Sequence, residues 1–92
     1  MNKLEEARLR INEIDDELIK LFVERMEAVN KVVEYKIENN MPVLDSSREA
    51  DIKKDSIKKL NNKAYEKYYL MFLDGLFNSS KAYQKDIIEK RK

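Results

Sequence analysis

From Lys3 to about Asn39 the apolar residues keep a helical beat. Leu4, Ala7, Ile11, Ile14, Leu18 and Leu21 follow alternating steps of three and four, the spacing that lines one face of a packed helix. Phe22, Ala28, Val29, Val32, Tyr35 and Ile37 carry apolar positions onward, and good helix formers fill the gaps. The beat stops at Asn39-Asn40-Met41-Pro42, where Pro42 lacks an amide hydrogen and biases Met41 away from the helical region. Ser46 with Glu49 three residues later reads as a capping box, and Asp45 is a competing cap. A second helix is therefore predicted from about Ser47 to Leu60, with Ile52, Ile57 and Leu60 as its apolar contacts and Asn61-Asn62 at its end. A third runs from about Ala64 to Glu89, its core face passing through Tyr69, Phe72, Leu76, Ser80, Tyr83, Gln84 and Ile87. No stretch alternates convincingly as a strand. The pattern predicts an all-α fold of three helices, long, short and long, in a single domain over residues 1–92.

The first helix bears on assembly. About 36 residues at 1.5 Å each span roughly 54 Å. A compact domain of this length has a radius of gyration near 12 Å, hence a diameter of roughly 32 Å. About 20 Å of helix, with its apolar stripe, would protrude from a monomer, and a two-fold dimer is the commonest way to cover such a stripe.

Polar residues interrupt the apolar faces at particular places. Arg25 falls one heptad after Leu18 and one before Val32; Lys36 lies four residues beyond Val32; Arg8 lies two heptads before Phe22. Taken singly, each can snorkel from a seam edge or set register. Three cations beside one stripe raise the cost of burial, and an anion is one way to offset it. Ser80 and Gln84, one turn apart on the third helix, can satisfy backbone groups or donate to something held between helices. Arg48 and Glu49 open the second helix, where Glu49 serves a cap and Arg48 is a surface charge, or the guanidinium clamps a carboxylate at the helix N-terminus while Glu49 orients a hydroxyl. The Lys53-Lys54 and Lys58-Lys59 pairs read as solvated faces, and the tyrosines at 65 to 69 as core or interface packing.

Composition narrows the chemistry. Histidine and cysteine are both absent, which removes imidazole bases, thiolate nucleophiles, disulfides and conventional zinc sites. The 18 acidic residues form no calcium-loop pattern, so no metal and no cofactor is expected. Charged residues are 40% of the chain with a net charge of only +1, and the basic lean of Lys85 to Lys92 is too weak for a nucleic-acid surface. No apolar run approaches the roughly 20 residues that span a bilayer, and no leader precedes the first helix, so the expectation is a cytoplasmic protein without membrane contact.

Several segments carry a resemblance. Leu-Arg-Ile-Asn-Glu-Ile-Asp-Asp-Glu-Leu, Val-Glu-Arg-Met and Val-Glu-Tyr-Lys are similar in order and spacing to the first helix of the all-helical chorismate mutases. Met-Pro-Val-Leu-Asp-Ser-Ser-Arg-Glu resembles that family's loop and second-helix opening, and Ser-Lys-Ala-Tyr-Gln the polar face of its last helix. The likeness covers nearly the whole chain and is weakest between Asp51 and Lys67. It implies an intertwined homodimer that rearranges chorismate to prephenate. The family's cationic set falls on Arg8, Arg25, Lys36 and Arg48, its hydroxyl-orienting pair on Asp45 and Glu49, and its last-helix polar pair on Ser80 and Gln84. The resemblance also implies that Arg8 reaches each site from the opposite subunit.

That chemistry suits a chain without His or Cys. The reaction is an intramolecular [3,3] rearrangement, which needs no proton transfer, nucleophile, metal or redox cofactor; it needs a held conformer and stabilised charge as the ether bond breaks. On this reading Arg8 and Arg25 clamp the two carboxylates, supported by Ser80 and Arg48, while Lys36 and Gln84 donate to the ether oxygen. Glu49, with the backbone at Asp45, holds the ring hydroxyl. The rival readings are an isochorismate pyruvate lyase of the same fold, told apart by pyruvate release, and a non-enzymatic helical dimerisation or regulatory module.

Overall fold

The computed structural model describes all 92 residues as three helices: α1 (Lys3–Glu38), α2 (Ser46–Leu60) and α3 (Glu66–Lys90). Local chemistry sets the ends. The Asn2 side chain accepts from the Glu5 amide at 2.9 Å, and Glu5 and Glu6 place negative charge at the N-terminus of α1, where the helix dipole favours it. At the other end Asn40 takes a left-handed φ of 52°. The Met41 amide then donates to the Lys36 carbonyl at 2.8 Å and the Asn40 amide to the Ile37 carbonyl at 3.4 Å, the paired bonds of a Schellman motif. Asn61 closes α2 in the same left-handed region, with φ 44° and ψ 45°.

The cap of α2 corrects one expectation. Asp45, not Ser46, is the N-cap: its carboxylate accepts from the Arg48 amide at 3.0 Å, and Ser46 is already helical. A carboxylate at this position also complements the dipole, which a hydroxyl does not. The third helix starts at Glu66 rather than Ala64, because Asn62 holds the preceding turn through its side-chain oxygen and the Ala64 amide, 3.1 Å apart.

α3 packs against both α1 and α2, whereas the α1 and α2 backbones do not approach one another. On the α1 side, the Tyr83 hydroxyl donates to Asn30 Oδ1 at 3.2 Å, and the Arg91 guanidinium makes a two-pronged pair with Glu34. On the α2 side, Lys53 pairs with Asp74 at 3.1 Å and Lys81 with Glu49 at 3.2 Å. Early α2 thus meets late α3, so these two helices run antiparallel.

The core is small: only Val33, Leu73 and Phe77 are buried apolar residues. Within one chain the buried stripe of α3 keeps Ser80 and Gln84 of the expected face but has Leu73 and Phe77 in place of Phe72 and Leu76. Leu73 and Phe77 face inward, while Phe72 is 47% exposed and Tyr65 and Tyr68 each 61%. Every residue from Met1 to Glu24 is exposed. The molecule measures 55 × 27 × 15 Å with a radius of gyration of 16.6 Å, well above the roughly 12 Å of a compact chain this long. Leu18, Leu21 and Phe22 of α1, with Phe72 and Leu76 of α3, border an apolar concavity of about 420 Å³. No helix is long and apolar enough to cross a membrane.

Candidate active site

The gap between α1 and α2, roofed by α3, is a polar cavity of about 180 Å³. Seven of the eight residues singled out in the sequence border it: Arg25 and Lys36 from α1, Asp45 from the loop, Arg48 and Glu49 from the first turn of α2, and Ser80 and Gln84 from α3. Val29, Val32, Val43, Ile52 and Phe77 supply its apolar walls. Residues 25, 29, 32 and 36 share one helix face, so the α1 wall sets a cation at each end of a pair of valines.

Each polar group is held by a traceable contact. Arg25 Nη1 donates to Ser80 Oγ at 2.5 Å, and the same hydroxyl donates to the Leu76 carbonyl one turn back at 2.9 Å. Ser80 is thus pinned from its own helix and in turn fixes the guanidinium. Of the alternatives weighed for Ser80, the backbone one is realised: its proton goes to Leu76, and toward Arg25 it accepts. Lys36 Nζ donates to the Val43 carbonyl at 2.8 Å, which ties the end of α1 to the loop and leaves the ammonium two further hydrogens. Asp45 spends one carboxylate oxygen on the cap, so its charge is partly committed before any ligand arrives.

Gln84 is the conspicuous case. The residue is 5% exposed, and its side-chain oxygen is shut off from solvent without a hydrogen-bond partner. A buried polar atom left unsatisfied costs about 1–3 kcal/mol, and such atoms in folded proteins call for a reason. The orphan is an acceptor, which only a donor can satisfy; the amide nitrogen of the same side chain is the group that can donate into the cavity.

Arg8 does not join the others. It is exposed and lies 17 residues before Arg25, about 25 Å along the axis of the same straight helix. Its own chain cannot bring it to the cavity. In the opposite direction, Lys81 borders the cavity although nothing in the sequence distinguished it from a surface lysine. Its only signal was its place immediately after Ser80; the packing of α3 on α2 is what turns it inward.

The chemistry of the cavity follows from its charges. Arg25, Lys36, Arg48 and Lys81 face Asp45 and Glu49, a surplus of two positive charges within one chain. Planar guanidinium forks suit carboxylates, and a partly enclosed, low-dielectric setting strengthens every such contact. Three helices around a cationic cleft of this kind define an all-helical domain with a cavity complementary to negative charge. Comparison with known proteins gives that class a family. Residues 7–85 match the chorismate mutase type II family. The sequence is 34% identical to a chorismate mutase of Methanocaldococcus jannaschii, with 98% of this chain and 92% of that protein covered. It is 35% identical to a bifunctional chorismate mutase/prephenate dehydratase of Buchnera aphidicola, with 97% of this chain but only 23% of that protein covered, so the chain spans under a quarter of the longer relative. No solved structure matches it. The chain belongs to the chorismate mutase type II family.

Proposed function

We propose that the chain is a chorismate mutase, converting chorismate to prephenate by holding and electrostatically stabilising an intramolecular rearrangement. Family membership supports the activity. The single observation that carries the site is the convergence of seven polar residues, from all three helices and one loop, on one cationic cavity. Arg25, braced by Ser80, takes one substrate carboxylate, and Arg48 at the α2 N-terminus adds to the same field. Lys36 and Gln84 donate to the ether oxygen, where negative charge grows as the carbon–oxygen bond breaks and the new carbon–carbon bond forms. Glu49 accepts from the ring hydroxyl. No step requires a proton to move, and none of these side chains has to change its protonation state.

The site is completed by a second copy, which contributes Arg8 of the partner subunit. Surface area supports this reading. The chain exposes 7616 Å², whereas a compact monomer of its mass exposes about 5,600 Å². Doubled over two chains, the excess is about 4,000 Å², within the range of obligate dimers. The exposed apolar residues of α1 (Leu4, Ile11, Ile14, Leu18) and the concavity beside Phe72 lie where that excess arises. The whole of residues 1–92 then acts as one domain of an intertwined pair.

Ultraviolet absorbance tests the activity directly. Purified protein should consume chorismate and yield prephenate as the identified product; a protein that leaves chorismate untouched, or releases pyruvate from isochorismate instead, defeats the proposal.

A further inference from the structure

Lys81 has no role in the set carried by family resemblance, yet it lies at the site. Its ammonium is 3.2 Å from Glu49 Oε2, and both side chains are about three-quarters enclosed, at 25% and 24% exposure. The other pairs are more open. Arg10–Glu13 and Lys20–Glu17 are 67–70% exposed, Lys53–Asp74 is 43% and 56%, and Arg91–Glu34 is 48% and 39%. The Lys81–Glu49 pair is therefore the most enclosed ion pair in the chain, and both its members border the polar cavity.

We infer that Lys81 is a positioning residue for the reaction: it anchors Glu49 on the α3 side of the cleft, so that this carboxylate orients a substrate hydroxyl without neutralising the cations that bind the substrate carboxylates. The inference rests on the reading of Glu49 as the hydroxyl acceptor. Its physical basis is competition. Glu49 shares the cavity with Arg25, Lys36 and Arg48, any of which a mobile carboxylate would pair with. Such a pair would occupy the oxygen meant for the hydroxyl and would also cancel a charge meant for the dianion. Lys81 approaches from α3, one residue beyond the serine that braces Arg25, and engages Oε2. The second carboxylate oxygen remains as an acceptor.

The ring hydroxyl neither forms nor breaks a bond, so its contact is nearly equal in the ground and transition states. Loss of the anchor should therefore raise KM more than it lowers kcat. In steady-state assays, Lys81→Met should raise KM for chorismate about five- to twentyfold with kcat held within about twofold. Lys81→Arg should restore most of the loss, and Lys81→Gln serves in place of the methionine variant should that one melt early. The decisive comparison is the double variant. In a Glu49→Gln background, Lys81→Met should add less than about a twofold change, because its effect passes through Glu49. Independent, multiplying losses overturn the inference, as does an unchanged KM in Lys81→Met while Glu49→Gln is impaired. That second result would leave the hydroxyl role of Glu49 standing. A silent Glu49→Gln would instead remove that role, and the role of Lys81 with it.

Discussion

Assembly of each site from two chains can be tested by mixing two inactive proteins. Arg8 lies about 25 Å along α1 from Arg25, so in the proposed two-chain site Arg8 comes from the other chain, whereas Lys36 comes from the chain that supplies the rest of the cavity. Truncating one member of a buried, hydrogen-bonded charge contact costs about 2–5 kcal/mol, so Arg8→Ala and Lys36→Ala should each fall at least some thirtyfold in kcat/KM. Each mixed dimer then holds one site with both defects and one site with neither. If chains exchange freely in an equal mixture, half the dimers are mixed and half of their sites are intact, so activity should recover to about a quarter of the wild-type value. The assay is chorismate consumption after co-refolding or co-expression, with each variant alone as control. Were Arg8 to act within its own chain, every site in the mixture would carry a defect and no recovery would occur. Activity that stays at the level of the separate variants, despite demonstrated subunit exchange, refutes the shared-site reasoning.

Other expectations follow from single contacts. Ser80→Ala removes the oxygen that accepts from Arg25 and should cost about 1.5 kcal/mol of transition-state binding, roughly tenfold in kcat/KM, with little change in thermal midpoint because no cavity opens; an unchanged kcat/KM would show that Arg25 needs no brace. Lys36→Ala should lower turnover chiefly, since charge on the ether oxygen grows only toward the transition state, and near-normal kcat would overturn that assignment. At the far end of α3, the Arg91 guanidinium bonded to Glu34 holds that carboxyl below its ordinary pKa, with desolvation opposing. A depressed carboxylate pKa stabilises the fold above the ordinary value, and the contribution vanishes as pH falls through the depressed one. Wild type should therefore melt slightly above Arg91→Ala near neutrality, and the two curves should converge in acid; a gap that persists in acid would assign the effect to packing.

What the sequence determined by itself was the set of elements and the inventory of the site. Helix number and approximate ends were legible because their causes are local: a three-and-four apolar rhythm, Asn and Pro at the breaks, a carboxylate before the second helix. The excess length of α1 was legible for the same reason, since length follows from residue count. Arg25, Lys36, Ser80 and Gln84 stood out because a polar residue on an apolar face has to be accounted for, and Arg48 and Glu49 because they open a helix. Tertiary structure decided everything that depends on the azimuth of one helix about another. Leu73 rather than Phe72 became core because adjacent residues differ by only about 100° around α3, and which of them is covered depends on where α1 and α2 lie. The same rotation turned Lys81 toward Glu49, made Ser80 a brace for Arg25, and left the Gln84 oxygen buried and unpaired. Periodicity specifies that a face is buried; only packing specifies against what, and with which hydrogen bonds.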